Sequence, residues 1–389
     1  MNIGIAAIGC LSEDTGGKNY IIHFIRELAR ERHGHHFTLF LSSGERSKLR
    51  IEPASWLNII EIPNSSSTPL HKVIAEQFRL PGYIRRARID VMYYPGNFIS
   101  LFSSVSAVVN IRAVAHFYGA RYGIRCARRF VRSLLMPPGA RRAKAIVTPS
   151  EDIKRDVVRF MHVPPEKIHV IPHGVDTSLF GGEKNRDAES LLVLNKFGLQ
   201  TEEYLLYVSA LWRYKNQDKL IRAHAELVRQ GYSDLKLVLA GKGTGTEKKY
   251  IEEIHSLPKL LGTDALVIFT GSIQQSELRY LYAYARAFVF PSAYESFGNP
   301  IFEAWASGIP VAASNVHSFP EIIGDAGLLF DPEDNSDIIQ AIARLLSDRE
   351  LSSELVRRGK ARVGKYTWER CRARTLSLIE RVMAEVNGP

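Results

Sequence analysis

The stretch "FVFPSAYESFGNPIFEAWASGIPVAAS", residues 288–314, reads as a buried strand, a turn-rich loop, a helix and a second buried strand. Gly298-Asn299-Pro300 carries helix-start chemistry, with Asn299 as the N-cap and Pro300 at the first helical position. Glu303 then falls in the first turn, and Glu295 in the loop before it. The two carboxylates, eight residues apart, therefore stand before and after a helix N-terminus and do not share one helix face. The N–H groups of Ile301 and Phe302 at such a start are free for an anion, with a carboxylate toward each end of a longer ligand. The competing reading is that Glu303 only complements the helix dipole.

Working outward, the same alternation fills the chain. "NIGIAAIG", "HFTLFLS", "LNIIEI", "DVMYYP", "AVVNI", "AIVTPS" and "IHVIPHG" read as short buried strands, with helical segments such as "KNYIIHFIRELARER" and "PSEDIKRDVVRFMHV" between several of them. The pattern restarts at "YLLYVSAL" and runs through "LKLVLAG", "LVIFTGS", "AFVFPSA" and "IPVAAS". Strand–helix alternation implies parallel sheets covered by helices. The expectation is α/β: two tandem doubly wound, Rossmann-like domains. The first spans 1–180 and the second 190–367, with the polar segment 178–190 as linker and a last helix from about Trp368. Sheets of this kind bind ligands at the carboxyl ends of their strands, and the cleft between the domains is the expected site.

Composition sets outer limits. A chain of 389 residues, 45% hydrophobic and 24% charged, is expected to be a soluble globular protein of two or three domains. No apolar run is long enough to span a bilayer, and the N-terminus reads as a strand with no signal peptide. Three cysteines, odd in number and far apart, point to a reducing cytoplasm and away from disulfide or metal frameworks. The net charge of +10 is unevenly placed: residues 91–150 hold no Asp or Glu but nine Lys or Arg. If "ARYGIRCARRFVRSLLM" is helical, Arg121, Arg125, Arg128, Arg129 and Arg132 share a face. Together with the rest of 121–144, that face suits an anionic membrane surface or a diphosphate-bearing acceptor. The bland alternative is a solvated basic face. No nucleic-acid module is recognisable.

Other stretches carry chemistry of their own. Gly16 and Gly17, just before a helix, allow close approach of backbone to a ligand. Arg213 and Lys215 in "YVSALWRYKN" follow a buried strand, where cations suit a diphosphate.

Taken together, these motifs resemble family 4 glycosyltransferases of the GT-B fold. The resemblance rests on Glu-x7-Glu in "PSAYESFGNPIFEAWASGIPVAAS" followed by "PEIIGDAGLLFDPED", and on "TGGKNY", "AKAIVTPSEDIKRDV", "KIHVIPHGVD", "YVSALWRYKN", "LVLAGKG" and "FTGSI", all in order. It implies a C-terminal helix crossing back to the N-terminal domain, and retention of anomeric configuration. It implies that Glu303 holds the ribose hydroxyls and that Glu295 contacts the donor sugar. Backbone N–H groups at Phe297, Gly298 and Asn299 would meet sugar hydroxyls, with Pro300 and Ile301 near the diphosphate. Arg213 and Lys215 would neutralise the leaving nucleoside diphosphate, Gly17 would approach it from the other domain, and Ile273 would sit against the base.

The sequence departs from relatives in separating Arg213 from Lys215 by Tyr214. It also has His116-Phe117 where many carry His-Asp; His116 is a catalytic candidate, and His173 reads as structural. No Asp-x-Asp pair is present, so metal-independent transfer without a cofactor is expected. The partners expected are a nucleotide-sugar donor and a glycan or lipid-diphosphate-linked acceptor. The setting is bacterial surface-polysaccharide synthesis, in the cytoplasm or at the inner membrane face. Rival readings are a GT-B sugar-nucleotide epimerase, a phosphorylase, a glycoside hydrolase with two glutamates, and a non-catalytic membrane-surface scaffold.

Overall fold

A computed structural model describes residues 1–11, 16–30, 34–49, 54–63, 69–122, 126–181, 187–243 and 247–387. The chain divides into two compact units. The first consists of Met1–Ala120, Ile124–Gly174 and Trp368–Pro389, the second chiefly of Val175–Thr367.

The first unit is built on strands β1 (Asn2–Ala6), β2 (His36–Ser42), β3 (Leu57–Ile62), β4 (Val91–Tyr94), β5 (Ser106–Asn110), β6 (Ala145–Thr148) and β7 (Ile168–Val170). They form one sheet in the order β3-β2-β1-β4-β5-β6-β7, every pair parallel. The second unit holds β8 (Tyr204–Val208), β9 (Lys236–Ala240), β10 (Val267–Gly271), β11 (Ala287–Phe290), β12 (Val311–Ser314) and β13 (Leu328–Phe330). Their order is β10-β9-β8-β11-β12-β13, again all parallel. Central strands such as β4 and β11 are buried along their whole length, which is why they read as unbroken apolar runs without alternation. Each sheet reverses direction once, between β1 and β4 and between β8 and β11. These are the switch points where strand ends open a crevice.

Local chemistry places the elements. The helix Glu151–Met161 starts at Ser150, whose hydroxyl accepts the Ile153 N–H at 3.3 Å, and stops at His162 in the left-handed region. The last helix, Trp368–Asn387, belongs to the first unit. There Trp368 stacks on His23 with ring centroids 5.0 Å apart, and a Cβ on Gly174 would fall 2.2 Å from the Trp368 nitrogen. His173 is buried in the same aromatic group, its ring 4.9 Å from Tyr20, and burial followed by the Arg112 charge pushes its pKa down to about 3.

Four local expectations are corrected. The boundary expected between 180 and 190 falls earlier, at Gly174/Val175: Val175 donates to the Tyr366 carbonyl at 2.9 Å, and Phe180 packs in the second core. Gly16 and Gly17 do not precede a helix but open the helix Gly16–Arg30. The segment expected as one helix from Ala120 is 3-10 up to Tyr122 (Ala115–Tyr122) and α-helical over Cys126–Arg142, with 123–125 outside the described residues. The side chains of Arg121, Arg125, Arg128 and Arg129 lie outside the described ones. Finally, the helix of the opening stretch runs Asn299–Ala306, so Gly298 and not Asn299 is its cap, Pro300 is its second residue, and Glu303 lies beyond the first turn.

Candidate active site

The carboxyl ends of β8 and β11 are neighbours, and the loops that leave them are stapled together. After β8 the chain makes a 3-10 turn, Arg213–Lys215, then passes through Asn216 in the left-handed region (φ 55°) into the helix Gln217–Arg229. The Asn216 side chain donates to the Pro291 carbonyl at 2.9 Å, and the Ala293 N–H donates to the Tyr214 carbonyl at 2.8 Å. These two bonds hold the turn after β8 against the loop after β11.

That stapling brings Lys215 and Glu295, 80 residues apart in sequence, into an ion pair between Nζ and a carboxylate oxygen. Their side chains are only 9% and 17% exposed. The Lys215 ammonium also lies 5.0 Å from the Tyr214 ring centroid and 5.6 Å from that of Phe290. Burial works against the lysine's charge, but the Glu295 carboxylate outweighs it and holds the pKa above the ordinary lysine value. Arg213 stands apart from this pair. It is 60% exposed, bonds Glu253 at 2.8 Å and covers the Tyr250 ring at 4.7 Å.

Beyond Glu295 the loop is anchored through its backbone, whose Glu295 carbonyl accepts the Ser318 hydroxyl at 2.9 Å. Phe297 is buried and stacks on Phe302 at 4.8 Å. Gly298 has φ 77°, and a Cβ there would sit 2.8 Å from the Phe319 ring, so glycine is required on two counts. The Ile301 N–H is not free, as the sequence suggests; it donates to the Gly298 carbonyl at 3.0 Å. Glu303 is half-buried and accepts the Tyr282 hydroxyl at 2.9 Å. Burial pushes its carboxyl up to about 7, with the Tyr282 bond opposing. Ile273 follows β10, packed on the edge of the core.

Several polar atoms on these loops were invisible to sequence reading. Trp212 Nε1, Ser292 Oγ and Asn299 Oδ1 are buried without a hydrogen-bond partner. Buried unpaired polar groups are costly, so atoms of this kind on the segments that follow β8 and β11 are suited to a ligand or ordered water. The rim itself needs close backbone packing: a Cβ on Gly241 would lie 2.0 Å from the Ser209 carbonyl oxygen. In the first unit, His116 is buried with Nε2 unpartnered, and burial followed by the Arg132 charge lowers its pKa to about 3. It is thus a neutral imidazole at any physiological pH. Among the described residues no group of three or more His, Cys, Asp or Glu could hold a metal.

Two tandem doubly wound units, each reversing once at its centre, define the GT-B architecture. The comparisons agree. Residues 15–179 match the model described as Glycosyltransferase Family 4, and residues 194–362 match Glycosyl transferases group 1. The chain belongs to this glycosyltransferase family. Among curated relatives, the O-antigen chain mannosyltransferase B of Escherichia coli is 33% identical over 236 residues, 60% of this chain and 60% of that one. The MMP alpha-(1->4)-mannosyltransferase of Mycolicibacterium hassiacum is 31% identical over 252 residues, 64% of this chain and 56% of that one. The chain thus spans about three fifths of the length of these relatives. Among solved structures, sucrose-phosphate synthase from Thermosynechococcus elongatus matches with a TM-score of 0.80 at 20% identity, covering 99% of both chains. Anabaena HepE in complex with UDP and glucose matches at 0.75 and 18%, covering 97% and 100%. WaaG, a glycosyltransferase involved in lipopolysaccharide biosynthesis, matches at 0.72 and 16%, covering both chains fully. These likenesses are of fold.

Proposed function

We propose that the chain is a retaining, metal-independent hexosyltransferase working at the cytoplasmic face of an anionic membrane. It moves a sugar from a nucleoside-diphosphate donor to a glycan or lipid-diphosphate-linked acceptor in surface-polysaccharide assembly. Mannose is the sugar that the curated relatives favour. The observation that carries the reading is the buried Lys215–Glu295 pair at the β8/β11 switch point.

The chemistry follows from charge. The bond from the anomeric carbon to the donor diphosphate breaks, a bond to the acceptor oxygen forms, and the acceptor proton passes to the departing phosphate oxygen. The diphosphate gains negative charge as it leaves, and a fixed ammonium in a poorly hydrated crevice stabilises that charge without reorganising. Lys215 supplies such an ammonium, and Glu295 keeps it charged and in place before the donor arrives. Ionised, Glu303 accepts ribose hydroxyls through both oxygens and more strongly than the neutral acid does. Its carboxyl titrates at about 7, so donor affinity rises between pH 6 and 8, by at most about tenfold per pH unit. Replacing Glu303 by Gln flattens that dependence.

The test supplies purified protein with GDP-mannose and UDP-glucose in separate reactions, with a lipid-diphosphate-linked oligosaccharide as acceptor, with and without EDTA. Product with the donor's anomeric configuration, formed equally in EDTA, supports the proposal. An inverted product overturns retention, EDTA sensitivity overturns metal independence, and donor turnover without acceptor moves the assignment to an epimerase.

A further inference from the structure

In the first unit, two phenylalanines stand in the open. Phe78 is 65% exposed and Phe102 is 62% exposed, and their rings stack on each other with centroids 5.0 Å apart and planes at 25°. Among the described residues they are the only large aromatic side chains exposed to this degree. The pair is not a loose end. Phe78 sits in the π-helical turn Ala75–Arg79, which continues into the helix Leu80–Arg86, while Phe102 is on the segment after β4.

The buried side chain between them locks the two segments together. Gln77 donates to the Ile99 carbonyl at 3.0 Å and accepts the Leu101 N–H at 2.8 Å, and its own carbonyl accepts the Ser100 hydroxyl at 3.4 Å. A buried amide bonded through both its nitrogen and its oxygen to the segment of Phe102, with two exposed rings stacked beside it, is a built platform. Buried polar networks of this kind rigidify what they connect.

The exposed charges that follow Phe78 along its helix are basic. Gly82, one turn beyond Phe78, faces open space, and Arg85 and Arg86 are exposed on the next turn. Beside Phe102, Arg142 donates to the Ser103 carbonyl at 2.6 Å. The segment carrying Phe102 belongs to the acid-free stretch 91–150. Two acidic residues flank these elements in sequence: Glu76, which is half-buried, and Asp90, which is exposed and accepts the Asn2 N–H at 2.8 Å; they are outnumbered by Arg79, Arg85, Arg86 and Arg88, all exposed.

We infer that the Phe78–Phe102 pair is the apolar anchor of a docking surface for an anionic lipid bilayer. The two rings enter the headgroup boundary and Arg85, Arg86 and Arg142 meet lipid phosphates. This rests on the membrane-face part of the proposed function but not on the transfer reaction. Two rings are far too little apolar area for a stable protein interface, which takes roughly 800 Å² from each partner. They are well suited to shallow insertion, where aromatic side chains sit at headgroup depth and basic residues add attraction to anionic lipid. A surface that is negative everywhere also fits a predominantly basic rim better than a partner with patterned charge does.

The test is vesicle flotation of the full chain, with no donor or acceptor present. Vesicles of phosphatidylglycerol and phosphatidylcholine in equal parts are compared with pure phosphatidylcholine at 0.1 M salt. The expected result is binding to the anionic vesicles alone, weakened at least tenfold by Phe78→Ser with Phe102→Ser, and weakened again by Arg85→Glu with Arg86→Glu. Because all four side chains are exposed, the variants should melt with the parent, which a thermal scan verifies. Absence of binding by the parent chain overturns the inference, as does binding that the phenylalanine variant leaves unchanged. Protection of the platform by soluble oligosaccharide in place of vesicles would reassign the rings to a glycan and overturn it too. Transfer to a soluble acceptor, assayed separately, shows whether the proposed reaction stands regardless of the vesicle result.

Discussion

The two sheets reverse their strand order at equivalent places and equip the crevice there differently. At the β8/β11 switch a buried lysine and a buried glutamate are paired, so the crevice holds two opposite charges that compensate each other. At the β1/β4 switch the carboxylates have other partners. Glu45 is fully buried and accepts three backbone N–H groups, from Gly9, Leu11 and Ser42, at 3.1–3.2 Å. Nearby Lys72 spends its ammonium on the Gly9 carbonyl at 3.0 Å, and burial pushes the Glu76 carboxyl up to about 7, with Lys72 pulling the other way. Both crevices hold a carboxyl that burial raises to about 7, Glu303 in the second and Glu76 in the first, but the second also holds the buried contact ion pair. The difference teaches that a switch point provides the place, while the partner each buried carboxylate is given there, a lysine ammonium or backbone N–H groups, decides what that place can do.

The largest effect should come from separating the ion pair. Lys215→Met leaves Glu295 buried without a cation and should cost about 3–5 kcal/mol in urea unfolding, and Glu295→Leu should cost a similar amount. The double variant, Lys215→Met with Glu295→Leu, should recover most of that loss, because two apolar side chains need no compensation, yet it should transfer no sugar. Additive losses would mean that the two residues do not act as a unit, and the contrast between the two crevices would collapse.

Much of this contrast could not be read from sequence. The strands and their parallel pairing follow from the apolar runs and the alternation, and "HFTLFLS" and "LNIIEI" are β2 and β3 residue for residue, whereas the strand order is seen only in the structure. Lys215 and Glu295 are each conspicuous after a strand, but their pairing depends on β8 lying beside β11 and on the Asn216–Pro291 staple, both long-range facts. The helix starts one residue earlier than its sequence suggests for a similar reason. Gly298 takes the left-handed cap because Phe319, which comes from further along the chain, fills the space a side chain would need. Asn and Pro next to it are compatible with either register. In the segment expected to form one basic helix, spacing alone showed neither the 3-10 turn Ala115–Tyr122 nor the extension of the helix through Pro137 and Pro138 to Arg142.

The next effect concerns the first crevice and carries a sign. A carboxyl whose folded-state pKa is raised resists ionisation. Its contribution to stability is complete below its ordinary value of 4.5 and is lost as pH climbs through about 7. Glu76→Gln should therefore stabilise the chain above pH 7, by on the order of 3 kcal/mol, and should change nothing at pH 4. Thermal melts across that range are the measurement. A variant that is less stable than the parent at pH 8 would show that Glu76 is compensated after all, and would make the two switch points alike.

The smallest effect on stability, and the sharpest probe of the second crevice, concerns Arg213. Its bond to Glu253 joins two substantially exposed side chains, 60% and 46%, and pairs of that kind contribute at most about 1 kcal/mol. Arg213→Ala and Glu253→Gln should each shift unfolding by less than that. The low cost of breaking the pair is what would let Arg213 turn from Glu253 to a diphosphate, a move that Lys215, held by Glu295, does not need to make. If Arg213 makes that turn, Arg213→Ala lowers the transfer rate far more than it lowers stability, while Glu253→Gln frees the arginine and leaves the rate intact or raises it. If both variants transfer sugar at the parent rate, Lys215 is the cation that matters, and the chemistry of the second crevice reduces to a single buried ion pair.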